Sequence, residues 1–412
     1  MSIDVKMAWR NIWRNPRRSI LTISAIAFAS LLLVFMLSWQ FGSYETMIDS
    51  AVKIHTGYLQ VQAKGYNDKK SIRMVVPDPA SIGNILNKTL NVTAYTFRAN
   101  AFSLVSSKER TYGIIVVGID PVREARVSTL KKLIRQGSYL SESDTDQALV
   151  GDLLARNLKV GLGDELVVLG QGRDGSVAAT VVKVKGIYRS GQDDFDRSSM
   201  HIPLKNFQDV YAMRGAVHEV VALGKSLDDL QGIKKAVTAG IKKTDKKHRL
   251  VVLDWMELMP GLIEAIQMDL YSGFIFYLIL IIVVAFSILN TFLMAIFERT
   301  REFGVLMAIG TTPGRLSKLL LIESTTMTIV GIVIGIIAGS LITWYFQVHG
   351  IVISGTSEVM KQFGMPERIY PQLSMLSASI GPGAVLVITF LTALYPALKV
   401  RRLRPVEAMA GI

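Results

Sequence analysis

The chain has 412 residues, 50% of them hydrophobic, no cysteine, and a formal net charge of +13. The missing cysteine excludes disulfides, thiol catalysis and cysteine-based metal sites, and a mean hydropathy of +0.36 is too high for an ordinary soluble domain. The basic surplus is concentrated in short stretches beside apolar runs: segments 1–19, 298–318 and 399–412 hold 13 basic and 4 acidic residues, against 31 and 26 in the far longer segment 43–271. That distribution is topogenic and implies no nucleic-acid partner.

Segment 1–19 reads as a basic amphipathic helix on a membrane face, with Trp9, Ile12 and Trp13 on one side and Pro16 breaking it. Four apolar runs without Asp, Glu, Lys or Arg follow at 20–41, 272–297, 324–348 and 369–398 apart from flanking charges. Each exceeds the roughly 20 residues that carry a helix across about 30 Å of hydrocarbon. Only a helix satisfies its own backbone there. The fold class expected is therefore a membrane α-helical protein with four transmembrane helices and a large mixed α/β extracytoplasmic domain inserted between the first and second. The organisation expected is a cytoplasmic amphipathic segment 1–19, spans at 20–42, 272–297, 319–348 and 373–398, an extracytoplasmic domain 43–271 and loop 349–372, a cytoplasmic coupling helix 298–318 and a cytoplasmic tail 399–412. Trp13 and Trp39 bracket the first run at roughly 39 Å along a helix, so it reads as a retained span rather than a cleaved signal.

In the insert, 57–63, 112–119, 177–188 and 217–223 read as strands, 148–169 as strand, short helix, glycine turn and strand, and 248–253 as a last strand. Ser226 caps a helix over 226–243 in which Leu227, Leu230, Ile233, Val237 and Ile241 recur every three or four residues. Segment 256–270 reads as a helix running on into the second span, a geometry that would transmit motion.

No constellation for catalysis emerges, and no metal site is expected. His55, His201, His218, His248 and His349 lack ligand spacing and read as ordinary surface or loop histidines. Asp193, Asp194 and Asp196 lack the spaced oxygens of a calcium loop and read as a turn. Gly224-Lys225-Ser226 has no upstream glycine cradle for phosphate. Any ATP and magnesium must then be bound by another chain. The spans carry no buried charge beyond Glu323 near the start of the third, against an ion-coupled carrier. Gly331, Gly335 and Gly339 form a smooth helix ridge, either internal packing or a dimer seam.

Segment 297–314, FERTREFGVLMAIGTTPG, is the most specific stretch. Phe303, Leu306, Met307 and Gly310 fit an apolar face for a motor subunit, with Glu298, Arg299, Thr300, Arg301, Glu302 and Gly304 around it. The wider run ERTREFGVLMAIGTTPGRLSKLLLIES, the opening AWRNIWRNPRRSILTISAIAFAS and the ending YPALKVRRLRPVEAMAG resemble the permeases of MacB/LolCDE/FtsX-type ABC transporters. Within the insert, GSYLS, ALVGDLLARNLKVGLGDELVV and VKGIYRSGQDDFDRSSMHIPL resemble that family's extracytoplasmic core domain.

The resemblance implies a non-catalytic subunit of the bacterial inner membrane, with both termini cytoplasmic and working as a dimer with a second copy or a paralogue. Two copies of a separate ABC ATPase would hydrolyse ATP with magnesium and drive it. The size favours the LolC/LolE-like group, whose implied work is extraction of lipoprotein or amphipathic substrates from the outer leaflet, with a periplasmic chaperone or channel as a further partner. Acyl chains would then lie against Phe28, Leu32, Phe35, Met36, Phe274 and Tyr277, among membrane lipids. The alternative is mechanotransmission: driving efflux or controlling a periplasmic enzyme without passing substrate through the spans.

Overall fold

A computed structural model describes residues 3–245, 249–352 and 368–401. In chain order the helices and strands are α1 (Ile3–Arg14), α2 (Pro16–Ala51) with a π-type turn at Val52–Thr56, β1 (Leu59–Ala63), α3 (Tyr66–Lys69), α4 (Pro79–Lys88), β2 (Val92–Ser106), β3 (Thr111–Ile119), α5 (Pro121–Val127), β4 (Ile134–Gly137), β5 (Gln147–Gly151) and α6 (Asp152–Leu158). Then come β6 (Glu165–Gln171), β7 (Val177–Tyr188), α7 (Asp193–Ser198), β8 (Ser199–Pro203), α8 (Leu204–Val210), β9 (Glu219–Gly224), α9 (Leu230–Thr244), β10 (Leu250–Asp254) and α10 (Trp255–Leu258). The chain ends with α11 (Pro260–Ala308), α12 (Pro313–His349), β11 (Ile351–Val352), β12 (Arg368–Ile369) and α13 (Met375–Arg401). They form two compact units, one built from 3–45, 265–352 and 368–401, the other from 46–264.

The first unit holds four helices long and apolar enough to cross a membrane, within Pro16–Thr56, Pro260–Met294, Pro313–His349 and Met375–Arg401. Pro16 separates α1 from α2 and stands in the first turn of α2, where a missing N–H costs nothing. Ser19 Oγ donates to the Ile12 carbonyl at 2.6 Å and fixes the bend. Ile12 is buried among Ile26, Leu33 and Phe292, while Trp9 and Trp13 stay exposed and stack edge to face. The three residues therefore do not share a face, contrary to the sequence reading: Ile12 points to protein and the tryptophans away from it.

The glycine ridge of α12 packs on α2. A methyl group at Gly335 would lie 2.5 Å from the Ala27 carbonyl oxygen, and one at Gly331 would lie 2.8 Å from Ile26 Cβ. One at Gly339 would meet Leu31 O at 3.1 Å, so the ridge serves internal packing. From α13, Gly381 fits against Leu33 in the same way, and Ser38 of α2 donates to Ser377 at 2.9 Å.

The second unit is built on one ten-stranded sheet. Its open half runs β10-β1-β9-β2, all antiparallel. The other half closes on itself through β2-β3-β8-β5-β7-β6 and back to β2. One 15-residue strand, β2, joins both halves: Val92–Arg98 pairs β9 and Ser103–Ser106 pairs β6. Inside the closed half lie Val105, Val116, Leu166, Val168, Val182 and Phe207. Its outer surface is also apolar, because Phe102 opposes Ile115, Leu104 opposes Leu169 and Val167 opposes Val181, all exposed. On the open half, α4 and α9 pack side by side, Ile85 against Gly240, and bury Ile82, Leu86, Ile233, Val237 and Ile241.

Two sequence expectations give way. The chain from 256 to 270 is not one helix: α10 stops at Leu258, Met259 leaves helical geometry, and α11 restarts at Pro260. The segment 298–318 is not a separate helix. Its first part is the last three turns of α11 and its last part opens α12, because nothing before Ile309 interrupts the helical ladder. The last strand begins at Leu250, so the expected His248 lies outside the described residues, as do 353–367 of the loop and 402–412 of the tail.

Replacing Gly335 with valine should cost about 1–3 kcal/mol through overpacking against a backbone that cannot retreat. The thermal midpoint of the purified chain in detergent should fall by several degrees. Gly383→Ala, with open space around it, should leave the midpoint unchanged or slightly higher.

Candidate functional site

The helix reversal between α11 and α12 gathers the residues singled out from sequence. Gly310, at φ +104°, takes a left-handed conformation that a side chain would strain. Its N–H donates to Met307 O at 3.0 Å and the Thr311 N–H to Leu306 O at 3.0 Å, closing the end of α11. Thr312 stands just before α12, its carbonyl accepting from Arg315 N at 3.0 Å, and Pro313 opens the helix.

Phe303 (1% exposed) and Met307 (8%) turn inward onto Ile296, Leu316, Leu320 and Val400. Arg299 lies over the Phe303 ring at 5.3 Å and pairs with Glu323 at 3.4 Å and Glu302 at 3.5 Å. Glu302 also receives two hydrogen bonds from Arg14, at 3.1 and 2.6 Å, and Glu298 pairs with Arg18. Thr300 bonds its own helix at Ile296 O, 2.8 Å away, and Gly304 is buried.

Half of the expected docking face is therefore spent inside the unit. The residues left outward are Arg301, Val305, Leu306 (40% exposed), Ile309 (78%) and Gly310. Val305 and Ile309 were not among those singled out. Apolar residues surround this helix, so spacing alone cannot tell the side covered by α12 and α13 from the side left open.

A second cluster ties α2 to α11. Tyr44 OH donates to Asp269 Oδ2 at 2.5 Å, and Gln40 Nε2 donates to the same oxygen at 3.3 Å and to Tyr44 OH at 2.7 Å. Tyr277 OH donates to Gln40 Oε1 at 2.8 Å. Gly273 leaves room for the Gln40 amide: a methyl group there would sit 2.7 Å from Nε2. Between this tie and the ion pairs at Glu298 and Glu302 the seam is apolar, formed by Ile26 and Leu33 against Ile281, Val284, Ile288 and Phe292.

Elsewhere α11 is bare. Only 6% of its most apolar window is buried, against 44% for α2. Of the residues expected to meet acyl chains, Tyr277 joins the polar tie. Phe28, Met36 and Phe274 are exposed, Leu32 is half-buried, and Phe35 packs on Phe346 at 5.9 Å. They line no single site.

The second unit carries a buried polar layer on the sheet face opposite α4 and α9. Register places Gln62, Glu219 and Arg98 in one row and Gln60, Val221 and Thr96 in the next. Arg98 donates to Glu124 at 3.0 and 2.6 Å and also to the His55 carbonyl. Burial would raise the Glu124 pKa, but the charge and hydrogen bonds of Arg98 hold it below the ordinary carboxylate value. Glu219 moves up, because its burial outweighs Lys70 and Arg98. Asn100 reaches it with a 2.9 Å hydrogen bond, while Oε2 has no partner among the described residues.

His201 and His218, read from sequence as surface residues, are buried. Burial pushes His201 down to about 3 and His218 to about 4. The acidic cluster forms α7, and its one buried member, Asp196, accepts from Ser190 N at 2.9 Å and Ser190 Oγ at 2.7 Å.

Four apolar helices with an α/β insert between the first two define a multi-pass membrane protein. Residues 19–239 match the MacB-like periplasmic core domain and 274–405 match the FtsX-like permease C-terminal domain. The chain belongs to this family of ABC transporter permeases.

It is 23% identical to the lipoprotein-releasing system transmembrane protein LolC of Xylella fastidiosa over 313 residues, covering 73% of this chain and 74% of that protein. It is 23% identical to the macrolide export ATP-binding/permease protein MacB of Nitrobacter winogradskyi over 411 residues, covering 96% of this chain and 58% of that one. The crystal structure of the periplasmic region of MacB from Actinobacillus actinomycetemcomitans aligns at 15% identity with a TM-score of 0.39, covering 53% of this chain and 97% of that one.

The buried imidazoles set a pH dependence. Below pH 6.5 the unfolded chain binds protons that the folded domain refuses, so stability is lost as pH falls from about 6.5 towards 4. Glu219, raised, acts oppositely: the folded state keeps its proton longer, so stability weakens as pH rises above the ordinary carboxylate range. Thermal midpoints of the full chain between pH 7.5 and 4.5 should fall with acidification. His201→Gln should flatten that slope by about 1 kcal/mol per pH unit. An unchanged slope would mean that His201 already titrates in the folded domain.

Proposed function

We propose that this chain is the membrane subunit of an ATP-driven extractor, in which the seam between α2 and α11 is a gate for lipidated or amphipathic substrate entering from the outer leaflet. The observation that carries this reading is a nearly bare α11, tied by polar groups, among the described residues, to α2 at one end of an apolar seam and to α1 and α2 at the other. Asp269 and Glu298 are 29 residues apart, roughly 44 Å along a helix. That matches a bilayer with its headgroup regions, about 40–45 Å. Each tie then lies at an interface, and the apolar stretch between them suits acyl chains.

Extraction of an acyl chain costs about 0.8 kcal/mol per methylene transferred to water, so a separate ATPase supplies the work. The surface suited to it is the reversal, through Arg301, Val305, Leu306, Ile309 and Gly310. The basic surplus at 1–19, 298–318 and 399–412 supports a reading in which the reversal and both termini face the cytoplasm of a bacterial inner membrane. The exposed flank of α11 is the side for a second permease copy or a paralogue. The name of the LolC relative favours lipoprotein as the substrate.

The chain lacks cysteine, so thiol chemistry can test the gate cleanly. Gln40→Cys with Gly273→Cys, joined by a short bis-methanethiosulfonate linker, should block release of lipoprotein from proteoliposomes containing the whole complex, and reductant should restore it. Release at the wild-type rate with the linker in place would refute the gate.

A separate measurement addresses the reversal. Leu306→Asp with Ile309→Asp should lower co-purification of the ATPase by about tenfold or more while membrane insertion stays intact. Undiminished co-purification would move the motor contact elsewhere.

A further inference from the structure

The second unit contains a cavity of about 710 Å³ to which the transport reading gives no role. Its walls come from separate parts of the chain: the end of β1 and the residue after it (Ala63, Lys64), the 73–77 loop, the start of α4, the tight turn between β6 and β7, and the start of β10. The size falls within the range of small-molecule sites, roughly 300–1,000 Å³.

Four cationic side chains line it: Lys64, Arg73, Arg173 and Arg249. None forms an ion pair among the described residues. The two carboxylates in the lining are already committed to the backbone. Asp78 accepts from Ser81 N at 3.2 Å as the cap of α4, and Asp245 accepts from Leu250 N at 2.7 Å. Arg173 is held in place, its N–H on Tyr211 O at 2.9 Å and one Nη on Met213 O at 3.1 Å, with its remaining guanidinium donors unassigned. Beside these charges stands an apolar wall of Met74, Val75, Ile82 and Leu250.

Among the described residues, four positive and two negative lining groups leave a formal +2. A phosphate monoester carries about −1.5 to −2 near pH 7 and takes guanidinium groups in pairs, whereas a single carboxylate would leave half of that charge unmatched. The apolar wall calls for a hydrophobic segment on the same ligand. We infer that this cavity binds an anionic amphiphile, a phosphate monoester joined to a short apolar segment. The inference stands apart from the gate and the motor contact, since it concerns the second unit alone and needs no ATPase.

The test uses the full chain in phosphatidylcholine nanodiscs and isothermal titration calorimetry. Three probes are titrated: dihexanoyl phosphatidic acid, inorganic phosphate and dihexanoyl phosphatidylcholine. Saturable binding of the phosphatidic acid is expected, weakened by added salt. It should fall about tenfold or more in Arg73→Gln with Arg249→Gln, two exposed substitutions that leave the core intact. The zwitterionic lipid should not bind. Inorganic phosphate as tight as the phosphatidic acid would overturn the amphiphile by making the apolar wall idle. Undiminished binding in the double variant, or binding of all three probes alike, would overturn the site.

Discussion

Hydrocarbon offers no partner to a polar group, and this constraint decides where two helices of the first unit can be tied together. A hydrogen bond between α2 and α11 halfway across a bilayer would leave polar atoms in lipid whenever the helices parted, at several kcal/mol per group. Among the described residues none lies there. The contacts in the middle are Ile26 and Leu33 against Ile288 and Phe292, and lipid or acyl chain replaces such contacts at little cost. The polar ties sit at Gln40, Tyr44, Asp269 and Tyr277 on one end and at Arg14, Arg18, Glu298 and Glu302 on the other. Water reaches such groups at an interface, so breaking a tie exchanges one partner for another.

The second unit obeys the opposite economy. Arg98 and Glu124 are both buried, and losing one partner of such a pair costs about 3–5 kcal/mol. Arg98 also binds the carbonyl of His55, in the π-type turn that follows α2. A pull on that turn must carry β2 with it or break the hydrogen bond from Arg98 to the His55 carbonyl. Because β2 runs through both halves of the sheet, Arg98 links the turn to a strand that the open half and the closed half share. Unpartnered polar atoms on Gln62, Thr96, Asn100 and Glu219 line the same layer, so this face has polar capacity that the protein alone does not satisfy.

Much of the first unit was legible because lipid imposes a strong, simple pattern: long uncharged runs, proline at Pro16 and Pro313, and a glycine every fourth residue at Gly331, Gly335 and Gly339. The glycine ridge itself left two readings open, since spacing shows a smooth face and not what lies against it. The insert was readable where β-branched residues alternate, as in β7 and β9, and not in β2. VTAYTFRANAFSLVS mixes alanine, asparagine and arginine into its strand, because that strand buries a polar row on one half and an apolar face on the other. His201 and His218 looked like surface residues for a related reason. A buried imidazole is identified by what surrounds it, here Tyr188 and Phe195 for one and Tyr66 for the other, and the fold, not the residue spacing, sets that packing. At the reversal, composition located the segment but not its orientation, so Phe303 and Met307 read as docking residues when they are core.

That inward turn changes what the reversal can do. Were Phe303, Met307, Glu298 and Glu302 free, a force applied there would move the end of α11 by itself. With Glu302 held by Arg14 and Glu298 by Arg18, the same force is shared with the bend between α1 and α2. On the proposed reading both helices of the seam would be loaded at one end together, and the packing of Met307 and Phe303 on Leu316, Leu320 and Val400 would bring α12 and α13 along. Separation of the seam then depends on the other end, where Asp269 accepts from Tyr44 and Gln40. Hydrogen bonds to a charged group contribute about 1.5–3 kcal/mol each, so a tie of this kind resists thermal opening and still yields to a driven one.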